Sequence, residues 1–138
     1  MAKNGFSMSN RVAVEEITAT KTLTVDDCGK HFSVDTAGGA IVVTLPALAD
    51  AEDGWNASFH VVSGSAARAN FTVSSPAADV NVRGFLVQGT AEGIATTTAQ
   101  TNLLIPAASQ KSGDRIEIVA VKSAYEATAF VSGALTVT

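Results

Sequence analysis

Two aspartates, the only cysteine and one of the two histidines fall within six positions, in Asp26-Asp27-Cys28-Gly29-Lys30-His31. A cysteine nucleophile needs a base that draws off its proton, and His31 lies three residues beyond Cys28, across Gly29. The neighbouring residues argue for a different role. In His31-Phe32-Ser33-Val34 the apolar residues alternate, so a strand that turns Phe32 and Val34 inward turns His31 to the opposite face. The preceding Asp-Asp-Cys-Gly-Lys has the chemistry of a tight turn, with an aspartate bonding the backbone and glycine taking a positive φ. The stretch reads as strand, turn and strand, with no catalytic residue assigned.

Other chemistries are as thinly supplied. Cys28, His31 and His60 are the only cysteine and histidines, too few for a closed zinc site within one chain. Asp50, Glu52 and Asp53 crowd one loop but lack the alternating ligand pattern of a calcium-binding hand. No G-x-S-x-G elbow follows a strand, and the glycines of Thr-Ala-Gly-Gly and Ser-Gly-Ser have no strand-loop-helix context for phosphate. These glycines read as hairpin turns. No two of the thirteen acidic residues stand out as a glycosidase pair. No metal or cofactor site is assigned.

The composition limits the partners. The net charge is -4, and the nine basic residues are scattered from Lys3 to Lys122, which opposes phosphate-backbone binding and argues against nucleic acid. No window holds the roughly 18 apolar residues of a membrane span, and the N-terminal residues lack a signal-peptide core. The chain is expected to be made and used without secretion. With 46% hydrophobic and only 16% charged residues, it is expected to hide part of its surface in an assembly.

The elements that must carry any site are strands. Apolar residues alternate in Leu23 and Val25, Phe32 and Val34, Ile41, Val43 and Leu45, Phe59 and Val61, Phe71 and Val73, Val80 and Val82, and Ile116 and Ile118, a period of two. After Gly84 the apolar residues become consecutive, as in a bulged strand. The closing segments 125–133 and 134–138 also read as strands. Nine or ten short strands, separated by turn residues, predict a single all-β domain: an antiparallel β-sandwich of jelly-roll type. The one helical candidate is a single turn from Pro46 to Gly54.

Residues 1–18 have a weaker apolar pattern and read as an N-terminal arm or edge strand, leaving 19–138 for the sandwich. Phe6, Arg11, Val12, Val14 and Ile17 of this arm are candidate partner-contacting residues. Trp55 is added as the sole tryptophan, in a loop where it either caps the open end of the sandwich or offers a ring to a ligand.

The layout of residues 20–62 resembles a segment common in small structural proteins of tailed bacteriophages. Its T-x-x-D-x-G-K-x-F pattern runs from Thr24 to Phe32, and Val43-Thr44-Leu45-Pro46 ends a later strand. Residues 115–137 resemble the same group's ending. The resemblance implies a capsid decoration, or cement, protein without catalytic residues. It further implies a place on the outer capsid surface of the virion, assembly in the host cytoplasm, and as partners the phage major capsid protein and the chain itself as homodimer or homotrimer. A receptor- or carbohydrate-binding module of a phage fibre or tail is the alternative. Contact is expected through the arm and through exposed strand edges that pair with a neighbour.

Overall fold

The protein is described by a computed structural model over residues 12–62, 68–76, 82–89 and 94–138, with the backbone alone over 94–99. Two mixed sheets pack face to face as an all-β sandwich. The strands are β1 (Val14–Ile17), β2 (Lys21–Thr22), β3 (Lys30–Val34), β4 (Ile41–Thr44), β5 (Asn56–Val61), β6 (Phe71–Ser74), β7 (Val82–Gln88), β8 (Ile94–Gln100), β9 (Asn102–Ile105), β10 (Arg115–Val121), β11 (Ala124–Val131) and β12 (Thr136–Val137). One sheet has the order β1-β3-β5-β10-β11-β7-β8 and the other β12-β9-β6-β4-β2.

From β1 to β6 the chain alternates between the sheets, laying one strand in each before returning. The odd strands pair in parallel as β1-β3-β5 and the even strands as β2-β4-β6, so this half is a coil of three turns. Parallel strands cannot be joined by a tight hairpin. The glycine-containing segment after Asp35, expected as a hairpin turn, is instead an arch that carries the chain across the core. Gly39 takes φ 143° within it, and its N–H donates to the Thr36 carbonyl at 3.2 Å.

The antiparallel expectation is corrected in this respect, because half of the ten described pairings are parallel. The physical reason is that an alternation of period two sets which side chains face the core. It is indifferent to whether the next strand lies alongside or opposite.

In-register parallel pairing stacks like side chains. Ile17, Val34 and Val61 form one inward column, and Phe32 lies beside Phe59, their rings stacked with centroids 5.4 Å apart. Across the core, Ile41 pairs with Phe71 and Val43 with Val73. Phe32, Val34, Phe59, Phe71, Val43 and Val73 are all fully buried. Each such side chain contributes roughly 1.5–3 kcal/mol relative to exposure. The second half extends the two sheets largely with antiparallel pairs: β10 lies between β5 and β11, and β9 lies beside β6, while β11 and β7 pair in parallel. Strands β8 and β9 are one run that changes sheets at Thr101, an element the sequence reading did not single out.

The run from Pro46 to Gly54 is not a helix. Ala51 N–H donates to Ala47 O at 2.9 Å, closing one turn, and Trp55 N–H donates to Glu52 O. Val25, expected inside a strand with Leu23, instead opens a 3-10 turn, Val25–Asp27, and is 44% exposed.

Candidate interaction surface

The Asp26–His31 stretch is a structural turn built around Asp27. Its carboxylate accepts the Thr24 N–H at 2.9 Å and the Lys30 ammonium at 2.6 Å, the capping-box arrangement that stops the turn from unwinding. Burial pushes the Asp27 carboxyl up, but the hydrogen bonds from Lys30 and from the Thr24 backbone outweigh it and hold its pKa below the ordinary value. Gly29 takes φ 77°, as the turn reading expects. Cys28 is exposed, and its sulfur lies 3.9 Å from the Asn56 amide nitrogen. His31 faces away from the core on β3 and stacks on His60 of β5, ring centroids 5.7 Å apart and 16° from parallel.

The arm residues separate into two kinds. Val12 and Val14 are 52% and 68% exposed, free to meet a partner. Ile17 is buried in the core, which corrects its assignment as a contact residue: its parallel partner Val34 shows that it faces inward. Phe6 and Arg11 lie outside the described residues. Trp55 is likewise buried, packing edge-on against Tyr125 at 6.0 Å. It caps the sandwich and offers no open ring to a ligand.

The edge at β1 and β2 is guarded by charge. Glu15 stands in register with Phe32, and Lys21 with Val43, so both occupy inward positions that the next turn of the coil fills with apolar groups. Glu15 bridges Lys21 and Lys30, and Lys30 also pairs with Asp27. Lys21 lies 5.3 Å over the Phe32 ring. Two ammonium and two carboxylate groups thus seal the end of the coil. The hydrogen bonds from Lys21 and Lys30 hold the Glu15 carboxyl below its ordinary pKa, while Asp27 and Glu15 raise that of Lys30. A neighbour pairing along this edge would have to bury these charges, the usual protection of an exposed strand. This opposes the expected strand addition at β1.

Two clefts meet at this end of the sandwich. One, of about 440 Å³, is lined by Val25, Cys28, Asp50, Glu52, Asp53 and Trp55. The other is broader and is lined by Thr22, Thr24, Val25, Thr44, Pro46 and Asp50, among others. Asp53, one of the loop carboxylates, accepts the Lys122 N–H at 2.5 Å and so fastens the loop to the β10–β11 hairpin. Among the described residues, no three His, Cys, Asp or Glu side chains are arranged to hold a metal ion.

The outward face of the seven-stranded sheet is the more distinctive surface. Register aligns Thr128 with Phe85 and Phe130 with Val87 across β11 and β7. Phe85, Val87 and Phe130 are 45%, 36% and 39% exposed, a contiguous apolar group. Arg115 lies over the Phe130 ring at 4.5 Å. Arg83 pairs with Glu126 at 3.4 Å and Arg115 with Glu117 at 3.8 Å, all four side chains close to half exposed. The second pair is an ion pair too long for a hydrogen bond.

Phe85 and Phe130 were not among the residues expected to meet a partner. Their signal was parity: Phe85 shares its face with Arg83, and Phe130 with Glu126, charged residues that mark the solvent side.

The chain matches no protein-family model and no curated protein.

Proposed function

We propose that this chain is a non-enzymatic structural protein of a tailed-phage virion, which binds the outer capsid surface and bridges adjacent capsomers. The observation that carries the reading is the layout of residues 24–46, T-x-x-D-x-G-K-x-F followed by Val-Thr-Leu-Pro, which resembles that of phage decoration proteins. The geometry supports an adhesive role in two ways. Within the conspicuous Asp-Asp-Cys-Gly-Lys-His stretch, Asp27, Gly29 and Lys30 hold a turn, and the exposed apolar group Phe85, Val87 and Phe130 suits contact with another protein surface.

An adhesive of this kind works by repetition. Each copy contributes a small contact, and copies held on one lattice raise one another's effective concentration, so weak single contacts suffice.

Quantitative mass spectrometry of gradient-purified virions from the source tests the reading. A copy number equal to the major capsid protein, or a simple fraction of it, supports lattice-wide decoration. A few copies per particle shifts the protein to a fibre or tail module, and absence from the particle overturns a virion role.

A further inference from the structure

We propose that the outward face of the seven-stranded sheet, centred on Phe85, Val87 and Phe130, is a self-association surface whose occupant is the same face of a second copy. The inference rests on the adhesive reading for its setting and on the face itself for its chemistry.

Three observations select a second copy. The first is charge. Among the described residues, the apolar group is bordered by Arg83, Arg115, Glu117 and Glu126, two of each sign, so these four together are neutral and favour neither a strongly acidic nor a strongly basic partner. A surface that meets itself about a two-fold axis must supply both members of every contact. A rim with equal numbers of arginine and glutamate does so, exchanging pairs within one copy for pairs between copies.

The second is placement. Parallel pairing of β11 with β7 puts Phe130 beside Val87, and Phe85 beside Thr128, which sets an apolar group next to charged side chains, the mixture that protein interfaces use. The third is the guarded edge. With Glu15 and Lys21 turned inward on β1 and β2, association by extending the sheets at this end is opposed, which favours a contact through a face over one through this edge.

Size sets the strength. Three adjacent strands, β10, β11 and β7, about 4.8 Å apart and about 23 Å long, offer roughly 330 Å² per copy. The roughly 660 Å² buried by a pair falls below the roughly 1,200–2,000 Å² of standard interfaces, in the weak and transient class. The expected Kd is therefore tens to hundreds of micromolar, on the order of weak encounter complexes.

Sedimentation velocity on the full chain, from about 10 µM to about 1 mM, spans this range. The expected result is a concentration-dependent monomer–dimer equilibrium. The doubly substituted Phe85→Glu, Phe130→Glu chain should stay monomeric at every concentration with unchanged circular dichroism, since both side chains lie on the outward face of the sheet.

A charge exchange tests self-complementarity. Arg83→Glu with Arg115→Glu in one chain, and Glu117→Arg with Glu126→Arg in another, should each abolish association, and an equimolar mixture should restore it. A wild-type chain that is monomeric at about 1 mM, a Phe85/Phe130 double variant that dimerises like wild type, or a mixture that fails to associate overturns the proposal. If the wild type is monomeric and the double variant loses virion occupancy, the face belongs to the capsid contact, and only self-association fails.

Discussion

Glu15 lies in register with Phe32, and Phe32 with Phe59, so a carboxylate occupies the end of an inward column whose next two members are phenyl rings. The coil of parallel strands is terminated by electrostatics. Lys21 and Lys30 neutralise the carboxylate, and a fourth strand added beyond it would have to take the charges out of water.

Replacing Glu15 by an apolar residue should therefore loosen control of this edge. Glu15→Leu is expected to remain folded but to self-associate through β1, visible as concentration-dependent light scattering absent from the wild type. A variant as soluble as the wild type at every concentration would assign the protection of the edge to other residues.

The Asp27 capping box should carry measurable stability. Asp27→Ala removes the acceptor for Thr24 N–H and the partner of Lys30, and is expected to cost about 1–2 kcal/mol in urea denaturation, the range for helix-cap losses. Because the folded carboxyl titrates below its ordinary value, its contribution is full above the unfolded pKa and is lost as pH falls through the folded one. The stability difference between wild type and Asp27→Ala should shrink on acidification below pH 4, about the ordinary aspartate pKa.

His60 acts in the same direction at higher pH. Its pKa is lowered, first by burial and then by the nearby His31 and Arg115, with Glu117 opposing. The unfolded chain therefore takes up the proton first as pH falls, and folded stability declines from about pH 6.5 downward. His60→Gln should flatten this slope in a series of Tm measurements between about pH 7.5 and 5. An unchanged slope would place the titration elsewhere.

Gly84 is a close-approach position. A Cβ added there would meet the Ala127 carbonyl oxygen at 1.8 Å, at the bulge in the β7–β8 pairing. Gly84→Ala should cost more than about 2 kcal/mol, since backbone atoms on β11 must move. Chemical denaturation reads this directly, and a neutral result would mean that β7 shifts freely along β11.

The β10–β11 hairpin carries the opposite opportunity. Lys122 takes φ 55°, a conformation disfavoured for a residue with a Cβ, held by the bond from its N–H to Asp53. Lys122→Gly should raise stability by about 0.5–1 kcal/mol, the strain relieved exceeding the entropy lost with glycine. A loss of stability would show that the Lys122 side chain contributes more than the turn conformation costs.

The amino-acid sequence by itself determined the all-β class, most of the strands and the inward residues, because a period-two alternation is a local property that survives whatever each strand packs against. It also determined that Asp26–Lys30 is a turn, since the demand for an aspartate acceptor and a positive-φ glycine is met within a few residues. Only the tertiary structure decided that the first six strands coil between two sheets in parallel. The arches and hairpins that distinguish those topologies use the same turn residues. Only the structure turned Ile17 and Trp55 into core, set Phe130 beside Val87, and brought Glu15 onto Lys21 and Lys30. Each of those placements depends on pairing register between strands distant in sequence, and register follows from how the two sheets fill one core.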